Sequence, residues 1–188
     1  MILHFATSNK NKFNEVKDLL DIELKHSHNI ELKQLHEDIT EIQGSKEDIA
    51  LDKLKKVCKY HTDKWIIIDD TSIELSALNG FPGPYGKDFL LIGNQCIENL
   101  VSKIGRDAVS SCIVGLGNFN KNIYKLFYGK VSGTIIKGKE GGFGFDSIFL
   151  PDGSDKVYGD ISVTEKNSIS HRGEAIRKLL SYITQNKL

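Results

Sequence analysis

Three segments of the sequence combine residue types that could bind and cleave a nucleotide. The densest, Phe143–Arg172, holds aromatic rings that can stack on a base, beside lysine, histidine and arginine donors. The adjacent carboxylates Asp69 and Asp70 form the second segment, and a stretch of hydroxyl, amide and lysine side chains begins at Thr7. These types indicate base stacking, oxygen ligands for a cation and phosphate binding, respectively.

An alternating set of strands and helices must position these segments. The apolar run Ile2–Ala6 predicts a strand, and Asn9–Leu20 has the apolar spacing of a helix. Ser45 predicts the N-cap of a second helix, with Asp48 placed three residues on to bond back. The continuous apolar run Trp65–Ile68 is typical of a strand that is covered on both faces.

The second half of the chain adds further elements. In order, the pattern predicts a loop over 80–84, helical segments to about Ile104, paired strands at Ser110–Leu116 and Ile123–Ile136, and a last helix over His171–Thr184. The helical segments break near Gly93, and Asn94 is predicted to cap the next one. Strands that first alternate with helices and then pair with each other predict an α/β fold with a mixed sheet.

Length and composition narrow the class of protein. The 188 residues suit one domain, and lysine plus arginine balance aspartate plus glutamate at 25 each. A neutral chain lacks the basic field that holds nucleic acid, so an RNA-binding domain is disfavoured. Three cysteines without a paired spacing predict free thiols in a reducing compartment. With no apolar run of membrane length, the expectation is a cytoplasmic protein.

The segment Thr7–Lys12 lies where the first strand gives way to a helix. Backbone N–H groups at a helix N-terminus favour anions, and the side chains of this segment add further donors. A Walker sequence is absent. The alternative is a plain N-cap followed by a solvated lysine-rich turn.

The pair Asp69 and Asp70, with Thr71, is expected at the end of the strand that begins at Trp65. Ligands gather at the carboxyl ends of strands in open α/β sheets, and two adjacent carboxylates repel each other unless they share a cation. Glu41 could supply another oxygen, and such ligands suit magnesium. The alternatives are a helix cap with a surface acid, or an aspartyl-nucleophile phosphatase. The phosphatase motif has a residue between its two aspartates, which counts against it here.

Phe143 and Phe145 flank Gly144, which would let a flat base approach closely. Selectivity between bases would then come from polar groups, of which Asp146 and the run to Arg172 are candidates. The alternative is that the phenylalanines belong to the core and that the basic residues begin the last helix at the surface.

Taken together, these residues resemble the inosine triphosphate pyrophosphatase family (Ham1-like proteins). The motifs that carry the resemblance are Thr7-Ser8-Asn9-x-x-Lys12, Asp69-Asp70-Thr71, Leu78-Asn79-Gly80-Phe81-Pro82-Gly83-Pro84-Tyr85, Phe143-Gly144-Phe145-Asp146 and Glu165-Lys166-Asn167-x-x-Ser170-His171-Arg172. They occur in family order over nearly the whole chain. The resemblance implies a single domain, 1–188, whose two lobes surround a long mixed β-sheet flanked by helices. It also implies a homodimer and the magnesium-dependent cleavage of ITP, dITP and XTP.

The resemblance also implies a role for each motif residue. The implied residues for the triphosphate are Thr7, Ser8, Asn9, Lys10, Asn11 and Lys12, and Lys53, Thr71 and Lys87 are further implied substrate-binding residues. Glu41 and Asp70 are implied magnesium ligands, with Asp69 beside them in the metal shell, and Asp70 and Lys12 are the implied catalytic residues. The implied residues for the base are Phe143, Gly144, Phe145, Asp146, Lys166, His171 and Arg172.

Two positions depart from the family pattern. Phe145 stands where many members have tryptophan, and Ser147 stands where proline usually follows the aspartate. We expect a weaker base contact from the first change and a looser loop after Asp146 from the second. Two other functions stay open, a nucleotide-binding module without catalysis and a Maf-like pyrophosphatase acting on modified pyrimidine nucleotides. Metal-dependent turnover and a comparison of ITP with dTTP or UTP separate them.

Overall fold

A mixed β-sheet flanked by helices forms the frame of the protein, which confirms the predicted α/β class. The computed structural model describes residues 1–24, 30–37, 39–138 and 143–188. The strands are β1 Ile2–Ala6, β2 Glu31–Leu35, β3 Trp65–Leu75, β4 Pro82–Gly83, β5 Asp107–Asn118, β6 Ile123–Ile135 and β7 Phe149–Pro151. The α-helices are α1 Lys10–Glu23, α2 Lys46–Tyr60, α3 Gly86–Leu90, α4 Asn94–Ile104, α5 Val163–Ile169 and α6 His171–Gln185. None of the helices in this described part of the chain is both long and apolar enough to cross a bilayer.

The strands follow the order β2-β1-β3-β5-β6-β7, and β4 pairs with β3 off that path. Strand β1 runs parallel to both β2 and β3, whereas β4 is antiparallel to β3 and β7 is antiparallel to β6. The chain divides into two compact units. The first comprises Met1–Asp70, Cys112–Gly129 and Arg172–Leu188, and the second comprises Thr71–Ser111 and Lys130–His171.

The first unit buries both faces of its strands, as the apolar run at the start of β3 predicts. Ile67 packs with apolar residues of α1 and α6, such as Leu19 and Ile176. Its neighbours Ile66 and Ile68 pack instead with residues of α2. This split follows from the period of two in a strand, which points successive side chains to opposite faces.

Helix α2 lies close to β5 because two positions in that strand lack a side chain. A Cβ at Gly117 would lie 2.6 Å from the sulfur of Cys58, and one at Gly115 would lie 3.1 Å from the Leu54 side chain, and both of these neighbours belong to α2. Ser45 caps this helix by accepting a hydrogen bond from the backbone N–H of Asp48, which confirms the predicted start.

The second unit has a core of its own. Strand residues such as Ile73 and Ile135 pack there with Ile97 and Val101 of α4. The core also takes in Phe145 and the aromatic rings around it.

Several predicted element boundaries were wrong. Strand β3 does not end at Ile68 but continues to Leu75, so Asp69, Asp70 and Thr71 lie inside a strand. Pro82 and Gly83, predicted as loop, pair with Glu74 and Ile73. Both can do so because this two-residue strand lies at the sheet's edge, where proline is tolerated.

Helix α4 also begins differently from the prediction. Its N-cap residue is Gly93, which has φ 86° and, being glycine, has no side chain to cap the helix. Asn94 is the first helical residue, and its side chain bonds elsewhere. The pattern analysis did not predict β2, β7 or α5, which are short or largely polar.

Candidate active site

Asp69 and Asp70 lie side by side in β3 but point to opposite faces of the strand. The alternation places Asp69 on the face of Ile67, toward α1 and α6, and Asp70 on the face of Ile66 and Ile68, toward α2. The two carboxylates therefore have different neighbours, although the charge of Lys12 lowers the pKa of both.

Asp69 is a buried anion held by two cations. Lys12 Nζ lies 2.6 Å from its Oδ1, and Arg172 Nε donates to its Oδ2 at 2.7 Å. Burial by itself raises the pKa of this carboxyl, but the charges and hydrogen bonds of Arg172 and Lys12 outweigh it and hold the pKa well below its usual range. Asp69 is therefore ionised throughout the neutral range.

Two residues that the sequence analysis did not single out complete this cluster. Glu15, one turn after Lys12 on α1, pairs with the guanidinium of Arg172. Cys112 Sγ donates to Asp69 Oδ2 at 3.2 Å, and burial followed by the charge of Asp69 raises the pKa of this thiol well above its usual value. The helical spacing of Lys12 and Glu15 is a signal for Glu15; the sequence carries none for Cys112.

The cluster changes the emphasis of two predictions. Asp69 as a magnesium ligand stays a prediction, because in the structure its two oxygens already bind Lys12 and Arg172. The base-edge role of Arg172 also stays a prediction, because its described contacts are with the carboxylates of Asp69 and Glu15. The guanidinium is buried, so the alternative of a surface residue at the start of α6 is wrong.

Asp70 has the opposite electrostatic character. Its Oδ2 is buried and has no hydrogen-bond partner. Burial raises the pKa of this carboxyl; Lys12 and Lys53 lower it, Glu41 and Asp69 raise it, and the net shift is upward. A partly desolvated carboxylate that faces lysines and carries an unpaired oxygen can accept a proton or bind a cation.

Glu41 and Lys53 lie together at this site. Lys53 Nζ lies 2.7 Å from Glu41 Oε1, and the Glu41 side chain is 50% exposed. Among the residues that the structure describes, none form a cluster of three or more metal-ligating His, Cys, Asp or Glu side chains. Glu41 and Asp70 nevertheless fit magnesium, which commonly takes one or two carboxylates and completes its shell with water and substrate phosphates. The unpaired oxygen of Asp70 gives such an ion a ligand.

The segment Thr7–Lys12 is both a helix cap and a group of donors. Asn9 is the N-cap of α1, and its side chain accepts from the backbone N–H groups of Asn11 and Lys12. Thr7 Oγ1 accepts from the N–H of Asn9 at 3.1 Å. The capping interpretation therefore holds at Asn9, while Ser8, Lys10 and Asn11 are exposed at the same helix end.

In the second unit, the aromatic strip divides into a core residue and an accessible one. Phe145 is only 7% exposed and packs edge-on against Phe149, with ring centroids 5.8 Å apart. Phe143 is partly exposed, and Gly144 between them is exposed with φ 60°. The core interpretation is therefore right for Phe145, and Phe143 is the ring with a surface that a base could use.

Asp146 and Lys166 form a buried ion pair beside this ring. Lys166 Nζ lies 2.6 Å from Asp146 Oδ2, and their side chains are 8% and 13% exposed, the lysine being the more buried. The ammonium also lies 6.0 Å from the ring centroid of Phe143 and 5.7 Å from that of Tyr158. Such positions over aromatic faces favour a cation.

His171 is also buried in the second unit, where its ring packs between Phe145 and Tyr158 at centroid distances of 5.7 and 5.9 Å. Burial raises the pKa of Tyr158 to about 12, so its hydroxyl stays protonated. Nothing in the sequence pointed to Tyr158. Of the remaining predicted residues, Thr71 continues β3, and Lys87 is exposed on α3.

Comparison with known proteins identifies the group that shares this sequence pattern. The model of the Ham1 family matches residues 3–182. The inosine triphosphate pyrophosphatase of Encephalitozoon cuniculi is 40% identical over 187 residues, covering 96% of this chain and 93% of that protein. The dITP/XTP pyrophosphatase of Korarchaeum cryptofilum is 37% identical over 183 residues, covering 95% of this chain and 94% of that protein.

Solved structures agree in fold. The Staphylococcus aureus Ham1 protein superposes with a TM-score of 0.79 at 28% identity, covering 99% of this chain and all of that one (100%). A Coxiella burnetii HAM1 protein superposes with a TM-score of 0.82, covering 98% of this chain and 99% of that chain. Its identity of 24% makes it evidence for the fold alone.

Proposed function

The chain belongs to the Ham1 family, and from that premise we propose that it hydrolyses non-standard purine nucleoside triphosphates (ITP, dITP and XTP) to the monophosphate and pyrophosphate. Such an enzyme would remove these nucleotides from the cellular pool. The structural observation that carries the proposal is Asp70, a carboxylate with a buried unpaired oxygen and a raised pKa, among Lys12, Lys53 and Glu41.

The first unit holds the groups for the phosphate chemistry. In the proposed reaction a water oxygen attacks the α-phosphorus, the bond to the α,β-bridging oxygen breaks, and pyrophosphate leaves. Asp70 accepts the proton of the attacking water at its carboxylate, a transfer worth about 10²- to 10⁴-fold in rate. Lys12 and Lys53 supply positive charge for the phosphate oxygens. Asp69 takes no proton, because Arg172 and Lys12 keep it ionised, and it acts by holding Lys12 in place.

We propose Mg²⁺ as the cofactor, with Glu41 and Asp70 as its protein ligands. When bound, the ion would offset charge on the phosphate oxygens. The support is the pair of hard oxygen ligands and the electrostatic effect of Glu41 on Asp70. Activity is then expected to disappear when the divalent ion is chelated and to return when magnesium is added.

Base recognition is assigned to the second unit. Phe143 offers a partly exposed ring for stacking, and the buried Asp146–Lys166 pair offers polar groups beside it. A polar group left unpaired by the wrong base costs about 1–3 kcal/mol, so a few mismatches suffice for strong rejection. The Phe143→Ala protein is expected to lose affinity for ITP while it keeps its stability.

The deciding assay is pyrophosphate release from ITP, ATP, GTP and dTTP, each with and without magnesium. We expect rapid magnesium-dependent release from ITP and little from ATP. Release from dTTP in preference to ITP would favour the Maf-like alternative, and binding without release would favour a nucleotide-binding module. The Asp70→Asn protein is expected to lose nearly all turnover. Glu174→Gln, the same change of a carboxylate to an amide at a half-exposed site on α6, is the matched control and is expected to keep its turnover.

We also propose that the protein is a homodimer, as its family resemblance implies. The support is that several large apolar side chains in the second unit are exposed to solvent, among them Phe81 at 51%, Leu91 at 82% and Ile92 at 48%. Light scattering after size exclusion measures the mass directly. A monomeric mass at assay concentration would contradict this proposal.

A cytoplasmic location is proposed from the thiols. Cys58, Cys96 and Cys112 are all free, which suits a reducing compartment. Cell fractionation of the tagged protein tests this, and recovery in a secreted or membrane fraction would contradict it.

A further inference from the structure

A hydrogen bond outside the motif residues joins α4 to the segment that follows Asp146. Asn94 Nδ2 donates to Ser147 Oγ at 3.0 Å. Asn94 is the first residue of α4 and is half-buried, Ser147 is 9% exposed, and the bond is therefore partly buried. The contact joins one of the more regular elements of the second unit to the segment that carries Phe143 and Asp146.

Other contacts of this segment involve its backbone, whereas Asn94 contacts a side chain. The N–H of Gly159 donates to the Asp146 carbonyl at 2.8 Å. A Cβ at Gly138 would lie 2.0 Å from the Ser147 carbonyl oxygen, so the backbone at Gly138 lies in close contact with Ser147 and has no room for a side chain. The Asp146 carbonyl is thus held by a hydrogen bond, and the Ser147 carbonyl lies against Gly138, whereas the Ser147 side chain is held by the bond from α4.

Helix α4 is a rigid anchor for such a bond. Its residues Ile97 and Val101 are 1% and 0% exposed in the core of the second unit. The packing of the next two turns therefore positions the backbone of the first helical residue, Asn94. The hydrogen bond restrains Ser147 relative to α4, and it restrains Asp146 because the two residues are adjacent in the chain.

The position of Asp146 matters because of its partner. Its carboxylate holds Lys166 at 2.6 Å, and that ammonium lies over the ring of Phe143. A shift at 146–147 would move the carboxylate, the ammonium and the ring together. Serine at 147 also lacks the ring that fixes φ in proline, so a side-chain restraint has more to contribute here.

We propose that Asn94 and Ser147 are a positioning pair for base recognition: their hydrogen bond fixes the Asp146–Lys166 pair and Phe143 in the arrangement that a purine contacts. This inference rests on the proposed function, since it assigns these groups to the base. Neither residue touches the reacting phosphates in this assignment. The pair therefore acts on the affinity for the base and on discrimination between bases rather than on the chemical step.

The test compares Asn94→Ala, Ser147→Ala, the double variant and Asn94→Asp with the unmodified protein. Removing one typical hydrogen bond is expected to raise KM for ITP, and the dissociation constant for IMP, about three- to tenfold. The kcat for ITP is expected to stay within about twofold of the unmodified value. The ratio of kcat/KM for ITP to kcat/KM for ATP is expected to become smaller. The double variant is expected to match the single ones, because both single changes remove the same bond.

Asn94→Asp is the conservative rescue. Its carboxylate can accept a hydrogen bond from the Ser147 hydroxyl. The donor is then Ser147 instead of residue 94, but the two side chains stay bonded, so a near-normal KM is expected. Asn99→Ala removes the same type of side chain from an exposed site on the same helix and is the matched control. Urea unfolding of each variant separates a loss of position from a loss of stability.

The outcomes are distinguishable. Unchanged KM and unchanged IMP affinity in both alanine variants would overturn the inference, as would fully additive effects in the double variant. A fall in kcat and stability without a change in KM would assign the pair a structural role only. An unmodified protein that releases no pyrophosphate from ITP would overturn the proposed function, and calorimetric IMP affinities would then still decide whether the pair positions the base site.

Discussion

Replacing Asp69 with asparagine removes the charge that holds two cations inside the first unit. The Asp69 side chain is 1% exposed and that of Arg172 is 3% exposed. The asparagine side chain could accept from one cation only and would present its amide donors to the other. Breaking one partner of a buried ion pair costs about 3–5 kcal/mol, because the remaining charge stays desolvated. Against a total stability of about 5–15 kcal/mol, this loss is large.

The change can be followed with the single tryptophan of the chain. Trp65 begins β3 in the first unit, so its fluorescence during urea unfolding reports on the unit that contains Asp69. We expect the Asp69→Asn transition to move to much lower urea at pH 7. Glu174→Gln is the matched control, since its pair with Lys178 is half exposed at 40% and 50%. Exposed pairs of this spacing contribute only about 0.3–0.5 kcal/mol.

The pH dependence gives an independent check on the cause. The folded pKa of Asp69 lies below that of the unfolded chain, which is about 3.9. Its ionisation therefore contributes stability that is fully present above about pH 3.9 and is lost as the pH falls toward the folded pKa. The difference in free energy of unfolding between the Asp69→Asn protein and the unmodified protein should therefore become smaller as the pH falls through that range. A loss no greater than that of Glu174→Gln, or a difference independent of pH, would refute this account of the cluster.

Two further predictions concern the first unit. Gly117→Ala would place a Cβ 2.6 Å from the sulfur of Cys58 and is expected to lower stability by about 1–3 kcal/mol in urea unfolding, whereas Gly44→Ala, with its nearest neighbour at 3.4 Å, is expected to cost much less. Burial, followed by the charge of Lys64, lowers the pKa of His4 in the folded protein. The unfolded chain therefore takes up this proton at a higher pH than the folded protein does, so the free energy of unfolding should fall as the pH drops below about 6.5. The His4→Gln protein should show a smaller fall between about pH 6.5 and 5, and an unchanged slope would contradict this.

Much of the frame could be predicted because its signals are local. The strand Ile2–Ala6 and the Ser45 cap depend on apolar runs and on one side-chain hydrogen bond, and both are confirmed. The end of β3 could not be predicted in the same way. Two adjacent aspartates in the sequence indicate the end of a strand. Asp69 nevertheless lies inside β3, because Lys12 and Arg172, from distant parts of the chain, neutralise its charge.

The functional residues show a similar limit. The motifs pointed to Lys166 and Asp146, which the structure brings into one ion pair. They did not distinguish Phe143 from Phe145, because Phe145 is part of the core through tertiary packing, which includes Phe149 and His171. A side chain's burial depends on contacts that sequence spacing does not contain.

The two neighbouring aspartates allow a sharper separation of stability from activity. Strand alternation gives Asp69 two cationic partners and a lowered pKa, while Asp70 keeps an unpaired oxygen and a raised pKa. Environments that shift the pKa values of two neighbouring carboxylates in opposite directions commonly indicate that the two groups have different roles. For Asp70 the sign is reversed, because ionising a group whose folded pKa is raised costs stability at every pH above the unfolded value.

Asp70→Asn is therefore expected to unfold at the same or higher urea concentration while losing nearly all pyrophosphate release. Asp69→Asn is expected to lose stability first, with activity declining as Lys12 loses its anchor. Such a gain or constancy of stability on loss of activity is typical of a residue retained for function. If Asp70→Asn instead destabilised the first unit as much as Asp69→Asn does, both carboxylates would be structural. The proton acceptor would then have to be sought elsewhere among the described residues.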